Sequence, residues 1–321
     1  MIARRLVIGA ALAAPALGPA RGQAPQWPQR PVRFIVSLAA GGLLDLVARL
    51  LAEPLGELWG HPVVVENRPG AGGQLATRLV ARAAPDGHSA LVTGSSFAIN
   101  LSVSRNPGYV AEDLVPAAVV ADTPTLVMVR ADSPIRTLQD LLETARRRPV
   151  SFGTPGVGTA PHLSGELFFR RAGAAEATHV PYAGTAPSMT ALLAGDIDVV
   201  LGAAASVLPL LGSGRARALA VMNDRRSRVL PDVPTLAEAG AETIVDITWI
   251  ALFLPAGTPR AVLERVNADV LRVMQRPAVR ERLAALALEP IGGDLAAAQA
   301  LVTAEVARWR EVVRVLNIQQ D

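Results

Sequence analysis

The chain has 321 residues, half of them apolar, only 4% aromatic, and carries a formal charge of +3 with no cysteine. All 31 basic residues are arginine, so disulfides, thiolate nucleophiles, zinc–thiolate sites, Schiff-base lysines and a P-loop lysine are excluded together. The length favours two lobes over one average domain, and scattered basic residues argue against a nucleic-acid surface.

Residues 1–22 read as a signal peptide. Arg4 and Arg5 form a positive start, an apolar stretch over 6–17 is too short to span a bilayer, and small residues follow. The paired arginines leave both a twin-arginine and an unfolded export route open. Export to the periplasm is the expectation. Without Arg4, Arg5 and Arg21 the balance is 28 basic against 28 acidic residues.

Beyond that segment, apolar runs and helical periodicity alternate. Strands are expected over 32–38, 62–66 and 89–93, with helices over 43–58 and 74–83 between them. This is a doubly wound α/β opening. The pattern recurs with strands over 125–129, 151–153, 178–181, 197–201 and 216–221, and helices over 138–147, 162–171, 186–193 and 207–211. A returning strand over 249–254 precedes helices over 260–274, 278–286 and 295–316. The expected fold is therefore α/β and two-lobed, each lobe a mainly parallel sheet flanked by helices. Lobe one takes 28–130 plus 246–321, lobe two takes 131–245, and two chain crossings make a hinge.

Seven segments carry a resemblance. They are AAGGLLDLVARLLAEPL from Ala39, VVVENRPGAGGQLA from Val63, APDGHSALVTGSSFAIN from Ala84, GVGTAPHLSGELF from Gly156, HVPYAGTAPSMTALLAGDID from His179, LPDVPTLAEAG from Leu230 and LPAGTPR from Leu254. In order and spacing they resemble the tripartite tricarboxylate transporter receptor family, also called the Bordetella uptake gene (Bug) family. The resemblance implies a monomeric periplasmic binding protein of the Venus flytrap type (type II-like), without a cofactor. Such a receptor captures a small carboxylate for a two-subunit inner-membrane permease. A sensor reporting to a kinase ectodomain is the alternative, and a hydrolase or dehydrogenase using the same cleft is a third reading.

Three turns each open a helix, where unsatisfied N–H groups and a partial positive charge receive an anion without a basic side chain. They are Ala39, Ala40, Gly41 and Gly42; Gly156, Val157, Gly158 and Thr159, of which Gly158 and Thr159 are the expected ligand contacts; and Gly184, Thr185 and Ala186. Thr159 is expected to offer its hydroxyl as well as its N–H. The resemblance adds Ser95 and Ser96. Asp45 is expected to orient the first turn, with ligand contact as the lesser alternative. Arg68 is read as scaffold, on a turn far from the cleft. His61, His88, His162 and His179 show no metal-ligand spacing, and a dinucleotide fingerprint is spoiled by Pro161.

Ser37, Leu38, Leu43, Leu44, Pro161, Gly202, Ala203 and Ala204 depart from the family pattern. They make the expected cleft more apolar and suit a monocarboxylate with an apolar or aromatic body, or a less polar dicarboxylate.

Overall fold

The computed structural model describes residues 27–318 apart from residue 175; the expected signal peptide lies outside the described residues. The first part of the chain forms β1 (Val32–Val36), α1 (Leu43–Trp59), β2 (Val63–Asn67), α2 (Gln74–Ala81), β3 (Ser89–Gly94), α3 (Ser96–Val103) and β4 (Leu114–Arg130). The middle forms α4 (Leu138–Arg147), β5 (Ser151–Thr154), α5 (Ala160–Arg171), β6 (Thr178–Pro181), α6 (Thr185–Ala194), β7 (Val199–Ala203), α7 (Ala204–Gly212) and β8 (Ala216–Met222). Then come β9 (Ile247–Pro255), α8 (Arg260–Met274), α9 (Pro277–Ala285), β10 (Glu289–Pro290) and α10 (Leu295–Leu316). Among the described residues no helix is long and apolar enough to cross a membrane.

The strands run in the order β2-β1-β3-β9-β4-β7-β5-β6, with β8 and β10 also paired to β4. The α/β fold is as expected, and most strands of each sheet run in one direction: β1, β2 and β3 are parallel, as are β5, β6 and β7, while every pairing of β4 and of β9 is antiparallel.

Strand β4 belongs to both sheets. From Leu114 to Pro124 it pairs with β9, and from Thr125 onward it pairs with β7 and β8. The sequence hid most of it, because Pro116, Pro124 and Asp122 read as breaks. Pro116 sits at a register shift, and Pro124 stands where the partners change, so neither disrupts a regular ladder. Helix α3 was also missed. Its residues Phe97, Ala98, Ile99, Asn100 and Val103 are all buried, so it shows no polar stripe.

Register fixes how the two sheets face each other. Gly94, at the end of β3, lies opposite Ile250, near the start of β9, and Ile247 lies opposite Pro124. Ala203, at the end of β7, lies opposite Thr125. The carboxyl ends of both parallel sets therefore point at the Pro124–Thr125 junction from opposite sides. Ligands of open α/β sheets bind at such carboxyl ends.

The return crossing is stitched to the first by Asp246, whose N–H bonds Met222 O and whose carbonyl accepts from Thr125 N, each at 2.8 Å. Helix α10 braces the junction. Glu305 accepts from Trp249 Nε1 at 3.0 Å, from Trp309 Nε1 at 3.2 Å and from Arg308, which also donates to Val245 O at 2.8 Å. Arg170 of α5 donates to Val315 O, so α10 also touches the second sheet's layer.

The Asp246 side chain is fully buried, and neither carboxyl oxygen meets a donor in bonding geometry, although Thr125, Ser164 and Arg308 face it. Burial pushes its pKa up to about 6 against the pull of Arg308 and of the Thr125 and Ser164 hydroxyls. A raised carboxyl pKa means that the charged form is penalised in the folded state. The penalty is complete above the folded value and absent below the unfolded one. Asp246→Asn is therefore expected to melt several degrees above wild type at pH 8, with the gap closing between about pH 6 and pH 4. Equal melting curves at both ends of that range would refute the unpaired charge.

Candidate functional site

In the first sheet, the turn after β1 runs through Ala39, Ala40, Gly41 and Gly42 into α1. Gly41 adopts φ +79°, where a side chain would be strained. Its N–H donates to Asp45 Oδ2 at 2.9 Å, and Arg49 Nε bonds both oxygens of the same carboxylate at 3.1 Å. Burial alone would raise the Asp45 pKa, but the bonds from Arg49, Gly41 and Asn67 outweigh it and the net shift is downward. Asp45 is thus buried and committed to holding the turn. Gly42 caps the helix with no side-chain hydrogen bond, so the N–H groups of Leu43 and Leu44 enter the helix without an intrahelical acceptor.

Beside this turn stand the ends of β3 and β2. Ser95 is buried, and its hydroxyl donates to Ile247 O at 3.0 Å and accepts from Trp249 N at 3.4 Å, so it fastens β3 to β9. Ser96 is half-buried and opens α3. Ser37 is fully buried and donates to Thr93 Oγ1 at 3.0 Å. The turn over 69–73 is not remote, which corrects the sequence reading. A Cβ on Gly73 would lie 3.2 Å from Ser37 Cβ and 3.6 Å from Ser96 Oγ, and Asn100 Nδ2 donates to Gly72 O. All parallel strands of a sheet end on one edge, and β2 is no exception. Arg68 itself reaches out to Glu66, which Arg33 also holds with two bonds. Asn67 was overlooked too; its Nδ2 donates to Leu38 O at 3.1 Å.

In the second sheet, the turn after β5 is closed on itself. Thr159 gives both its N–H (3.4 Å) and its hydroxyl (2.7 Å) to Gly156 O, and Gly158 N donates to His162 Nδ1 at 3.0 Å. The expected donors of Thr159 are therefore spent inside the turn. Ala160 and His162 retain backbone N–H groups at the helix start, and Pro161 has none.

The turn before α6 is different. Gly184 takes φ +123°, and Thr185, Ala186 and Pro187 form the first helical turn with no side-chain cap. The N–H groups of Thr185 and Ala186 have no intrahelical acceptor. Gly202 makes this possible, because a Cβ there would lie 2.8 Å from Thr185 Cγ2. Nearby, Thr123 Oγ1 accepts from Ala205 N at the start of α7, at 3.1 Å.

The apolar departures divide. Leu44 and Pro161 are buried and Leu43 is half-buried, whereas Leu38 is 42% exposed just after β1; Val157, which is not one of these departures, is 53% exposed on the turn after β5. His162 and Glu166, four residues apart on α5, and His179 on β6 have ligand-type atoms within 4.8 Å of one another. The rings stack at 4.0 Å between centroids with 31° between planes, so their in-plane lone pairs run side by side rather than converging on one ion. A cation on His162 Nε2 would also need the ring proton on Nδ1, where Gly158 N–H already donates. The arrangement is that of a neutral stacked pair.

The chain matches the family model described as tripartite tricarboxylate transporter family receptor over residues 47–318. Protein BugT of Bordetella pertussis is 36% identical over 293 residues, covering 90% of each chain. A protein of R. palustris solved with adipate superposes with a TM-score of 0.82 at 34% identity, over 91% of this chain and 99% of that one. MatC of Rhodopseudomonas palustris, solved with bound malate, gives a TM-score of 0.77 at 31% identity, over 89% of this chain and 100% of that one.

Since the Asp45 pKa is lowered on folding, its stabilising contribution is present above the ordinary carboxylate value of 3.8 and lost as pH falls through the lower folded value. At neutral pH, Asp45→Ala leaves Gly41 N–H without its acceptor and is expected to lower the melting temperature by about 3–6 °C. An unchanged melt followed by circular dichroism would show that the turn does not depend on this carboxylate.

Proposed function

The chain belongs to the tripartite tricarboxylate transporter receptor family, and from that premise we propose that it is an exported receptor holding a small carboxylate between two lobes. The lobes are 28–130 with 246–321, and 131–245, with bending at the point where β4 changes partners. The receptor is monomeric, works in the periplasm and delivers its ligand to a two-subunit membrane permease. It catalyses no reaction.

One observation carries this reading. The starts of α1 and α6 lie on facing sheet edges, and each offers N–H groups that no residue of its own helix can accept. They form two positive poles, one per lobe, built without a basic side chain. A dicarboxylate spanning them contacts both lobes only when these are close, which is the differential contact that drives closure. The relatives solved with adipate and malate hold acids of this kind. Ala39, Ala40, Gly41 and Gly42 form the wall at the α1 pole, and Gly184, Thr185 and Ala186 form the α6 pole. Ser96 is the serine available to the ligand, because the hydroxyl of Ser95 is engaged with β9. Leu38 and Val157 add apolar surface, which suits an acid whose carboxylates are joined by a largely hydrocarbon body.

Calorimetry of the processed protein against adipate, succinate, malate, citrate and phenylacetate tests the reading. At least one acid is expected to bind at about micromolar strength. Ala186→Pro removes one N–H at a first-turn position that accommodates proline and should weaken that binding about fivefold to tenfold, with little change in melting temperature. Silence across all five acids, or undiminished binding by the proline variant, would overturn the two-pole site.

A further inference from the structure

The peptide group joining Val157 to Gly158 is pinned from beneath by a histidine. Gly158 N–H donates to His162 Nδ1 at 3.0 Å, and the His162 ring is buried under the turn. An accepting ring nitrogen carries a lone pair, so the ring is neutral and its proton sits on Nε2, the nitrogen 3.9 Å from Glu166 Oε1. His179 stacks on the ring at 4.0 Å, and its own Nε2 lies 2.6 Å from Thr154 Oγ1 at the end of β5. Burial pushes both histidine pKa values down to about 4, so the pair stays neutral at pH 7.

In a trans peptide the N–H and C=O groups point in opposite directions. With Gly158 N–H aimed down at the ring, the Val157 carbonyl is aimed away from it. Val157 is 53% exposed, so this peptide group lies at the protein surface, on the edge that faces the first sheet. The turn itself does not satisfy that carbonyl. The residue four positions on is Pro161, which has no N–H, and both donors of Thr159 go to Gly156 O. The two helix-opening turns of the second sheet thus differ in polarity. The one before α6 presents N–H groups alone, and the one before α5 adds a carbonyl oxygen to the N–H groups of Ala160 and His162. That oxygen repels a carboxylate and accepts a hydrogen bond from a hydroxyl or ammonium group.

We propose that His162 is a specificity-determining residue: by holding the Val157 carbonyl toward the cleft, it makes the receptor prefer carboxylates bearing a hydroxyl or ammonium group over otherwise identical acids without one. The inference rests on the cleft being the carboxylate site. His162 acts by position and needs no contact with the ligand.

Three matched pairs differing by one hydroxyl test it by calorimetry: succinate with malate, propionate with lactate, and 3-phenylpropionate with 3-phenyllactate. Wild type is expected to bind the hydroxyl-bearing member of at least one pair about tenfold more tightly. His162→Asn places Oδ1 where Nδ1 stands, keeps the bond to Gly158 N–H and retains that ratio. His162→Leu removes the acceptor. Gly158, at φ +73°, then allows the peptide to turn over, and the ratio falls toward one. Amide hydrogen exchange at Gly158 should quicken in the leucine variant and not in the asparagine variant. Equal binding of both members by wild type overturns the inference whether or not the leucine variant folds, as does a preference that survives His162→Leu. Binding of none of the six acids by wild type defeats the carboxylate reading itself, an outcome distinct from equal binding.

Discussion

The antiparallel pairing of β4 on both of its halves is the constraint on which the rest depends. A strand that simply ended at Pro124 would leave two independent sheets. Because it continues through Thr125 and takes β7 and β8 as new partners, each sheet's register is defined against the same backbone. Antiparallel pairing to one strand from both ends then forces the carboxyl edges of the two parallel sets to face each other. The helix N-termini that follow those edges are brought together without direct contact between the lobes' turns having to specify it.

In the proposed role, that geometry lets a near-neutral, lysine-free chain hold anions. Several of its arginines are engaged elsewhere: Arg33 with Glu66, Arg49 with Asp45, Arg148 with Asp198 and Arg308 with Glu305. Several of these pairs stabilise the turns and the junction. Backbone N–H groups at helix starts are fixed in direction and carry no flexible side chain to immobilise. A receptor that must release its ligand to a membrane partner benefits from such modest, distributed contacts. A buried guanidinium would hold a carboxylate more strongly and release it more slowly.

The sequence revealed the βα alternation and the turns, because both are local. Apolar runs of strand length and glycines before helices are set by neighbours a few residues apart. What it concealed depends on partners far away. Strand β4 looked broken at its prolines until β9, β7 and β8 showed that no regular rung was lost. Helix α3 had no polar stripe, because α10 and the sheet cover it. The turn over 69–73 looked distant from the site until the parallel sense of β2 put it beside Ser37 and Ser96. Thr159 looked like a donor because residue type reports capacity, whereas the fold decides which capacity is already spent. The neutrality of His162 and the unpaired carboxyl of Asp246 are likewise products of burial, which no local pattern encodes.

In the proposed role the junction has to be compliant as well as defined. Pro124 contributes no N–H, and Thr125 gives its N–H to Asp246 O, so the β4–β9 ladder ends at this point and β4 passes to its new partners. A rigid hydrophobic plug at this point would resist bending, since close-packed cores tolerate little deformation. Instead the space holds the Asp246 carboxyl and the Thr125 hydroxyl, neither in a well-aligned bond, beside Ser164 and an Arg308 committed to Glu305 and Val245 O. An unpaired buried carboxyl raises the free energy of whichever lobe arrangement isolates it. Thr125 and Ser164 already relieve it in part, and a bend that improves their alignment lowers that free energy further. The polar junction therefore narrows the gap between alternative lobe arrangements, and a ligand that binds by a few helix-end contacts has only a small difference to overcome. Modest anion poles and a frustrated hinge are matched to each other: stronger hinge packing would require stronger ligand contacts, and those would oppose release.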